Sequence, residues 1–224
     1  MVKQTEEYDP SLIGLILTAV LASLLGLLLA GINTAFLPIK TVKELPSLED
    51  REKKMVYYVA GDEKGGATWK VKSRAYLQQS AGTLILTEGE LNTWARNTFK
   101  PDPSNKDDGG LLGFKMKIAA PNFRISDGEL QISAKMDISV MGKSGSIICQ
   151  STGSIYNMGG SYTYHADSGF LGSCPIPTLA GLPNRIVLLL GRSFLESEAS
   201  DELRGPWNQL NDVLVEGNRI KLVR

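Results

Sequence analysis

Residues 129–141 read ELQISAKMDISVM, and the strict alternation in this stretch decides the fold. Apolar side chains occupy every second position: Leu130, Ile132, Ala134, Met136, Ile138 and Val140. Polar or charged side chains stand between them: Gln131, Ser133, Lys135, Asp137 and Ser139. Because successive side chains of a β-strand point to opposite faces, a period of two over this length predicts a long strand with one covered face.

The residues around this stretch predict neighbouring strands. FRIS at 123–126 leads into it through Asp127-Gly128, a two-residue turn in which both residues favour positive φ, as in a β-hairpin. A second alternating stretch, GFKMKIA at 113–119, predicts another strand. Further turn signals stand at 142–145 and 157–160. Residues 113–166 are therefore predicted to form an antiparallel β-meander.

A helix is predicted over residues 87–99, directly before a polar loop at 100–110. Thr87 followed by Glu90 matches the capping box, in which each side chain satisfies an unpaired backbone N–H of the first helical turn. Its apolar residues share one face: Leu91, Trp94, Ala95 and Phe99. Upstream, residues 55–77 are predicted as a strand, a loop at 61–66 and a second strand.

Two further helices are predicted near the C-terminus, followed by a hairpin or terminal strand at 213–223 around Gly217-Asn218. The first helix covers 182–196 and is opened by Pro183. The second covers 200–214, is capped by Ser200, and carries an apolar side: Leu203, Trp207, Leu210 and Leu214. The fold class is therefore α+β, with an antiparallel β-meander packed against two or three helices.

The N-terminal segment is predicted to cross a membrane. Residues 10–39 contain no charged side chain, and about 20 apolar residues are enough to span the hydrocarbon core. We expect a polar tail at 1–10, a transmembrane helix at 11–39, a charged juxtamembrane linker at 40–56 and an α+β domain at 57–224. The run exceeds a typical h-region of about 7–15 residues and its preceding tail is acidic, which favours a retained anchor over a cleaved signal peptide.

Every fourth residue of this helix is small, from Gly14 onward: Gly14, Thr18, Ala22, Gly26, Ala30 and Thr34. We call this set the small-residue ridge. Membrane helices associate through close packing, and small residues let backbones approach. Four residues rotate a helix by about 400°, so the ridge drifts by about 40° per step and a straight neighbour meets three or four members. Two interpretations stay open: a packing surface for another helix, and a plain lipid anchor.

The orientation signals disagree. More Lys and Arg residues lie after the span (Lys40, Lys43, Arg51, Lys53 and Lys54) than before it, which by the positive-inside rule places the domain in the cytoplasm. The domain is nevertheless rich in short strands and in Ser, Thr, Gly and Asn, and long domains translocate largely regardless of flanking charge. We expect a bacterial inner membrane protein whose large domain is extracytoplasmic.

Residues for catalysis or metal binding are sparse. The sequence has no HExxH, GxGxxG or GxSxG pattern, and its one histidine, His165, stands in a strand or turn with Asp167 and Ser168 nearby in sequence. Catalytic triads come from separate elements, so this grouping predicts no hydrolase. We expect no enzyme, no cofactor and no metal site. With 24 Lys+Arg against 24 Asp+Glu, the chain also lacks the positive charge that nucleic-acid binding requires.

The two cysteines, Cys149 and Cys174, could form one disulfide in an exported domain or remain buried free thiols. The tyrosines of the strand regions could line a ligand groove or fill a sheet edge: Tyr57, Tyr58, Tyr156, Tyr162 and Tyr164. Neither pattern decides between its two alternatives.

Two hairpin-like stretches, NFRISDGELQIS and DVLVEGNRIKLV, together with the helix start LTEGELNTW, resemble bacterial membrane-anchored periplasmic domains of the AsmA-like and TULIP-like lipid-binding kind. The resemblance covers residues 84–222 and implies a curved antiparallel sheet that wraps helices around an apolar groove. It also implies an extracytoplasmic, lipid-binding domain without catalytic residues.

Two functions follow from these observations. The first is a non-enzymatic accessory or assembly subunit of a membrane complex, docked on a transmembrane partner or a second copy through the small-residue ridge and the β-rich domain. The alternative is a tethered binder of a lipid or another hydrophobic ligand, which requires an apolar cavity of a few hundred Å³ between sheet and helices.

Overall fold

The long alternating stretch forms the second strand of the largest sheet in a computed structural model, which describes residues 11–53, 55–79, 81–99, 115–140, 143–178, 181–195 and 198–224. This antiparallel sheet contains β4 (Lys115–Ile118), β5 (Asn122–Ser126), β6 (Glu129–Val140), β7 (Lys143–Met158), β8 (Ser161–Leu171) and β9 (Cys174–Pro175). Its order is β4-β6-β7-β8-β9, and β5 pairs with the same edge of β6 beyond β4. The predicted meander is confirmed.

The predicted burial of β6 is confirmed, since Leu130, Ala134 and Met136 are at most 4% exposed and Lys135 faces solvent. The opposite face is covered in one place. Ser133 is fully buried, where its hydroxyl lies 2.8 Å from the Tyr58 hydroxyl. Tyr58 and Ser133 are 75 residues apart in sequence, so the alternation within β6 does not predict this contact.

The turn before β6 has the geometry predicted for it. Asp127 and Gly128 adopt φ of 55° and 81°, the positive values that a two-residue hairpin needs. Gly159 and Gly160 close the β7–β8 hairpin with φ of 65° and 91°. In the stretch 142–145, Lys143 to Gly145 belong to β7, so the β6–β7 connection falls at 141–142, outside the described residues.

A second sheet contains β10 (Asp212–Glu216), β11 (Arg219–Val223) and β3 (Thr83–Thr87), all antiparallel. The predicted helix 200–214 is wrong at both ends, because α5 spans Glu198–Trp207 and Leu214 pairs with Lys221 in the sheet. Pro206 therefore lies in the last turn of α5. A proline there removes one helical N–H and favours an early end. The Val213-Leu214-Val215 run suits a strand once β11 is beside it.

The second strand predicted within residues 55–77 is also wrong. Strand β2 is Val56–Val59, but residues Thr68–Gln78 form helix α2. Trp69 and Tyr76 are seven residues apart, which places both on one side of a helix, and both pack into the domain core. This spacing was a helical signal that the polar composition of the segment concealed.

Helix α3 (Glu88–Thr98) begins with the predicted capping box at Thr87 and Glu90. Helix α4 (Leu182–Leu195) packs against β6, β7 and β8. The apolar face of β6 contributes to two hydrophobic clusters. One lies beneath α2, α3 and the second sheet. The other contains Leu190 and lies beneath α4. The α+β fold class is as predicted, while the tail 1–10 and the loop 100–110 lie outside the described residues.

The N-terminal helix α1 spans Leu12–Ala35 and leads straight into β1 (Ile39–Val42). Strand β1 pairs in parallel with β2, so both ends of the segment predicted as a linker at 40–56 belong to a two-stranded ribbon. The chain thus enters the domain four residues after the helix ends.

Candidate functional site

Helix α1 has the length and composition of a membrane-spanning helix. Its 24 residues include an 18-residue window with a mean hydropathy of 2.7, and none of that window is buried by the rest of the chain. At 1.5 Å per residue it is about 36 Å long, enough for a hydrocarbon core of about 30 Å. Ser11 caps it by accepting a hydrogen bond from the Gly14 N–H at 3.2 Å.

The small-residue ridge lies on the uncovered surface of α1. Gly14, Thr18, Ala22, Gly26 and Ala30 are exposed, and Thr34 is half-buried near the domain. The hydroxyls of Thr18 and Thr34 each donate to the carbonyl oxygen four residues earlier, at 2.8 Å. Their polar atoms are therefore already hydrogen-bonded within the helix. The short side chains of the ridge form a shallow strip on the helix surface.

The end of α1 is fastened to the β8–β9 turn. The Ser173 N–H donates to the Ala35 carbonyl at 3.3 Å, and the Ser173 hydroxyl donates to the Leu37 carbonyl at 3.0 Å. Gly172, with φ of 61°, approaches so closely that a Cβ there would lie 1.8 Å from the Ala35 oxygen. The end of the helix is thus held on the domain by contacts to Ala35 and Leu37.

An apolar cavity of about 300 Å³ lies between the sheets and the helices α2, α3 and α5. Its floor includes Leu130, Ile132 and Ile155 of the large sheet. Among the described residues of its lining, only Ser73 is neither apolar nor aromatic. Tyr164, one of the tyrosines considered for a ligand groove, lines it as well. Such a cavity has the composition of a hydrophobic-ligand site and a volume at the lower end of the usual range.

A second concavity of about 700 Å³ lies where α1 meets the domain. Its lining includes the residues from Ala35 to Ile39 and a surface ion pair between Arg96 and Glu63, whose nitrogen and oxygen are 2.9 Å apart. Tyr58 also faces it. This groove is wider and more polar than the cavity, and its charged rim is already paired.

The cavity and the end of α1 lie near neighbouring parts of β6. Ile132 lines the cavity, whereas Ala134 and Lys135 line the groove at the end of α1. Ile138 pairs with Gly145, which packs against Phe36 directly after α1.

Both cysteines are free thiols in the structure, which does not contain the disulfide that the sequence left open as one of two alternatives. Cys149 pairs with Leu171, and Leu171 pairs with Cys174, so a whole strand separates the two cysteines. Two strand spacings amount to about 9.6 Å, beyond the reach of a disulfide. Burial raises the pKa of the Cys149 thiol to about 12.

The histidine lies outside any catalytic arrangement that the described residues offer. His165, Asp167 and Ser168 are exposed along β8, and the nearest ring to His165 is the edge of Tyr156 at 6.3 Å between centroids. Within the described parts of the chain, no group of three or more His, Cys, Asp or Glu side chains could hold a metal ion.

Fold and site together define a class of protein: an apolar N-terminal helix joined directly to an α+β domain with a partly open apolar cavity. No protein-family model, curated protein or solved structure matches the chain. The resemblance to AsmA-like and TULIP-like domains therefore stays a prediction.

The sequence did not predict part of the cavity wall. Trp69, Ser73 and Tyr76 come from α2, which was expected to be a strand. Strand β3, which was not predicted, contributes Leu84, and Leu84 pairs with Leu222 of the neighbouring strand β11. The spacing of four and three residues in α2 was the available signal.

Proposed function

We propose that this protein is a non-enzymatic, membrane-anchored binder of a hydrophobic ligand with about the bulk of one alkyl chain. Of the two functions that the sequence predicts, this is the one that the geometry favours. The observation that carries it is the apolar cavity of about 300 Å³ between sheet and helices. At about 30 Å³ for a group of one heavy atom, it accommodates roughly ten such groups.

The test is saturable binding of decanoic acid to the full-length protein in amphipol, measured by equilibrium dialysis with empty amphipol subtracted. We expect one bound chain per protein. Ser73→Phe places a ring in the cavity and should weaken binding at least tenfold. Ala75→Phe places the same ring on the exposed side of α2 and should leave binding unchanged. Absence of saturable binding to the wild-type protein would refute the proposal.

The anchor is proposed to be α1 in a bacterial inner membrane, with the domain on the extracytoplasmic side. The strand-rich composition supports this orientation, and the flanking Lys and Arg residues argue against it. Cys174 is partly exposed and offers a direct test. In intact cells, a membrane-impermeant maleimide should label the Cys149→Ser variant and not the Cys174→Ser variant. Labelling of the former only after lysis would place the domain in the cytoplasm.

A second candidate function is docking in a membrane complex through the small-residue ridge. It is supported by the exposure of Gly26 and its neighbours and by the fastening of α1 at Ala35, which fixes the ridge relative to the domain. Gly26→Leu should release a co-purifying partner or second copy in mild detergent. Gly31→Leu is the matched control, because Gly31 lies off the ridge and both glycines have open space around them. A lone wild-type monomer would exclude this function.

A further inference from the structure

Positive charge is concentrated at the end of the large sheet where β4, β6 and β7 approach α1. Lys117 of β4 pairs with Asp137 of β6, and Lys135 lies two residues from Asp137 on the same strand. Directly paired residues and residues two apart share a face of a sheet, so the three side chains are neighbours on one face. All three are exposed to solvent.

Two more lysines belong to the same end of the sheet. Lys115 begins β4, and Lys143 begins β7. Against these four lysines, Asp137 is the single acidic residue in β4, in β7 and in residues 134–140 of β6. The chain as a whole is neutral, with 24 Lys+Arg and 24 Asp+Glu, so the surplus of positive charge is local. We call the four lysines the basic end of the sheet.

Asp137 offsets only one of these lysines. The Ser146 hydroxyl donates to its carboxylate, and the Lys135 Nζ lies 3.6 Å from it. The hydrogen bond from Ser146 and the positive charges of Lys135 and Lys117 lower the pKa of Asp137, so Asp137 is ionised at neutral pH. An exposed ion pair of this length contributes little, which leaves the lysines able to bind another anion.

The groove at the end of α1 places this charge at the surface of the membrane. Lys135 and Ser146 line the groove together with the residues from Ala35 to Ile39. The polar layer of a bilayer is about 5–8 Å deep on each side of the hydrocarbon core. A groove that begins where the helix ends therefore lies at the depth of the lipid headgroups.

We infer that this groove and the basic end bind the headgroup of an anionic phospholipid from the leaflet in which α1 ends. Lys117 and Lys135 bind the phosphate, and the apolar part of the groove covers the glycerol and the first methylenes. The inference rests on the membrane anchor proposed above and is independent of the ligand of the apolar cavity.

The composition of the groove favours a lipid over a soluble anion. Lysine binds phosphate as a compact point charge, and a lysine close to an anionic membrane raises affinity about fivefold. Arg96 and Glu63 neutralise each other on another part of the rim. Much of the remaining lining is apolar: Ala35, Phe36, Leu37, Pro38, Ile39, Ala60, Ala119, Ala120 and Pro121. A soluble anion would use only the lysines, whereas a phospholipid uses both kinds of surface.

The experiment is a competition between two phospholipids that carry the same acyl chains, dioleoyl phosphatidylglycerol and dioleoyl phosphatidylcholine. Both are added at equal concentration to the full-length protein in a non-ionic detergent, and the bound lipids are counted by native mass spectrometry. We expect the anionic lipid to be bound at least fivefold more often. Because the acyl chains are identical, occupation of the apolar cavity does not change this ratio. Raising the ammonium acetate from about 0.1 M to about 1 M should reduce it, since the Debye length falls from about 10 Å to about 3 Å.

Substitutions should move the ratio in both directions. Lys117→Gln combined with Lys135→Gln should bring it close to one. Lys70→Gln combined with Lys221→Gln is the matched control, because these lysines lie on α2 and β11, outside the groove, and the change in net charge is the same. Asp137→Asn should raise the ratio about fivefold, and a gain of this kind cannot come from loss of folding.

Equal binding of the two lipids, or a ratio unchanged by the Lys117 and Lys135 substitutions, would overturn the inference. Displacement of the anionic lipid by about 10 mM glycerol 3-phosphate would also overturn it, because the site would then select a soluble phosphate. Decanoic acid binding is unaffected by these outcomes, so the cavity function would stand. Release of the protein from membranes by sodium carbonate without detergent would contradict the anchor and, with it, this inference.

Discussion

Replacement of Asn92 by Leu should remove the bonds that fasten α3 to the open edge of the large sheet. Asn92 is 1% exposed. Its amide nitrogen donates to the carbonyls of Phe123 at 2.8 Å and Asp62 at 2.7 Å, and its amide oxygen accepts from the Phe123 N–H at 2.6 Å. One side chain thus bonds both backbone groups of a β5 residue, as a neighbouring strand would.

The expected loss can be worked from these three bonds. Leu has as many side-chain heavy atoms as Asn, so no cavity forms, but its methyl groups are larger than the amide atoms they replace and crowding adds to the polar loss. The N–H and the carbonyl of Phe123 would be left buried and unpaired, at about 1–3 kcal/mol each, and the Asp62 carbonyl is only partly buried. We expect Asn92→Leu to lower the free energy of unfolding by about 3–5 kcal/mol, a large part of a typical total of about 5–15 kcal/mol.

The assay is guanidinium unfolding of the full-length protein in detergent, followed by tryptophan fluorescence. Trp69, Trp94 and Trp207 all pack against the cluster that contains Phe123, so the signal reports this core. Asn97→Leu is the matched control, because Asn97 is exposed on the same helix and donates only to the Thr93 carbonyl. If the two variants lose stability to within about 1 kcal/mol of each other, the reasoning about paired edge groups is refuted.

Three further predictions test other parts of the structure. Burial would raise the pKa of Glu90, but hydrogen bonds from Lys72 and Thr87 outweigh this effect and lower the pKa from its usual 4.5. The Glu90 carboxylate therefore stabilises the fold fully above pH 4.5, and this stabilisation is lost as the pH falls through the lowered pKa. Glu90→Gln should flatten the fall in denaturation midpoint on acidification below about pH 5, and an unchanged slope would contradict this. Iodoacetamide should modify Cys174 in the native protein and Cys149 only after unfolding, as peptide mass mapping will show; equal rates would exclude the burial of Cys149. Gly172→Val should break the contact with Ala35 and speed trypsin cleavage after Lys40. Gly159→Val is the control, because Gly159 also has a positive φ but has open space around it, and it should not change the cleavage rate. Equal cleavage of the two variants would show that the contact does not hold the helix.

Local patterns were enough to predict the elements whose signal lies within one segment. Residues 129–141 specify β6 because a period of two is a property of the strand itself. The capping box at Thr87 and Glu90, the Asp127-Gly128 turn and the apolar run of α1 are equally local, since each depends on residues within one or two turns of the chain. These signals also supplied the α+β class.

The errors arose where neighbours outside the segment decide the conformation. Val213 to Val215 can join a helix or a strand by propensity, and the strand forms because β11 pairs with it. Helix α2 has a polar composition, and its helical form is stabilised by the burial of Tyr76 against the core. The separation of Cys149 from Cys174 by a whole strand likewise depends on sheet order, which spacing along the chain does not contain.

The sequence by itself determined an apolar helix, a long meander strand and a chain without a recognisable catalytic pattern, because periodicity and residue type record these properties directly. Only the tertiary structure decided that an apolar cavity lies between the sheets and the helices. A cavity is space that several distant segments leave unfilled. Its existence depends on how their side chains meet, which no single segment encodes.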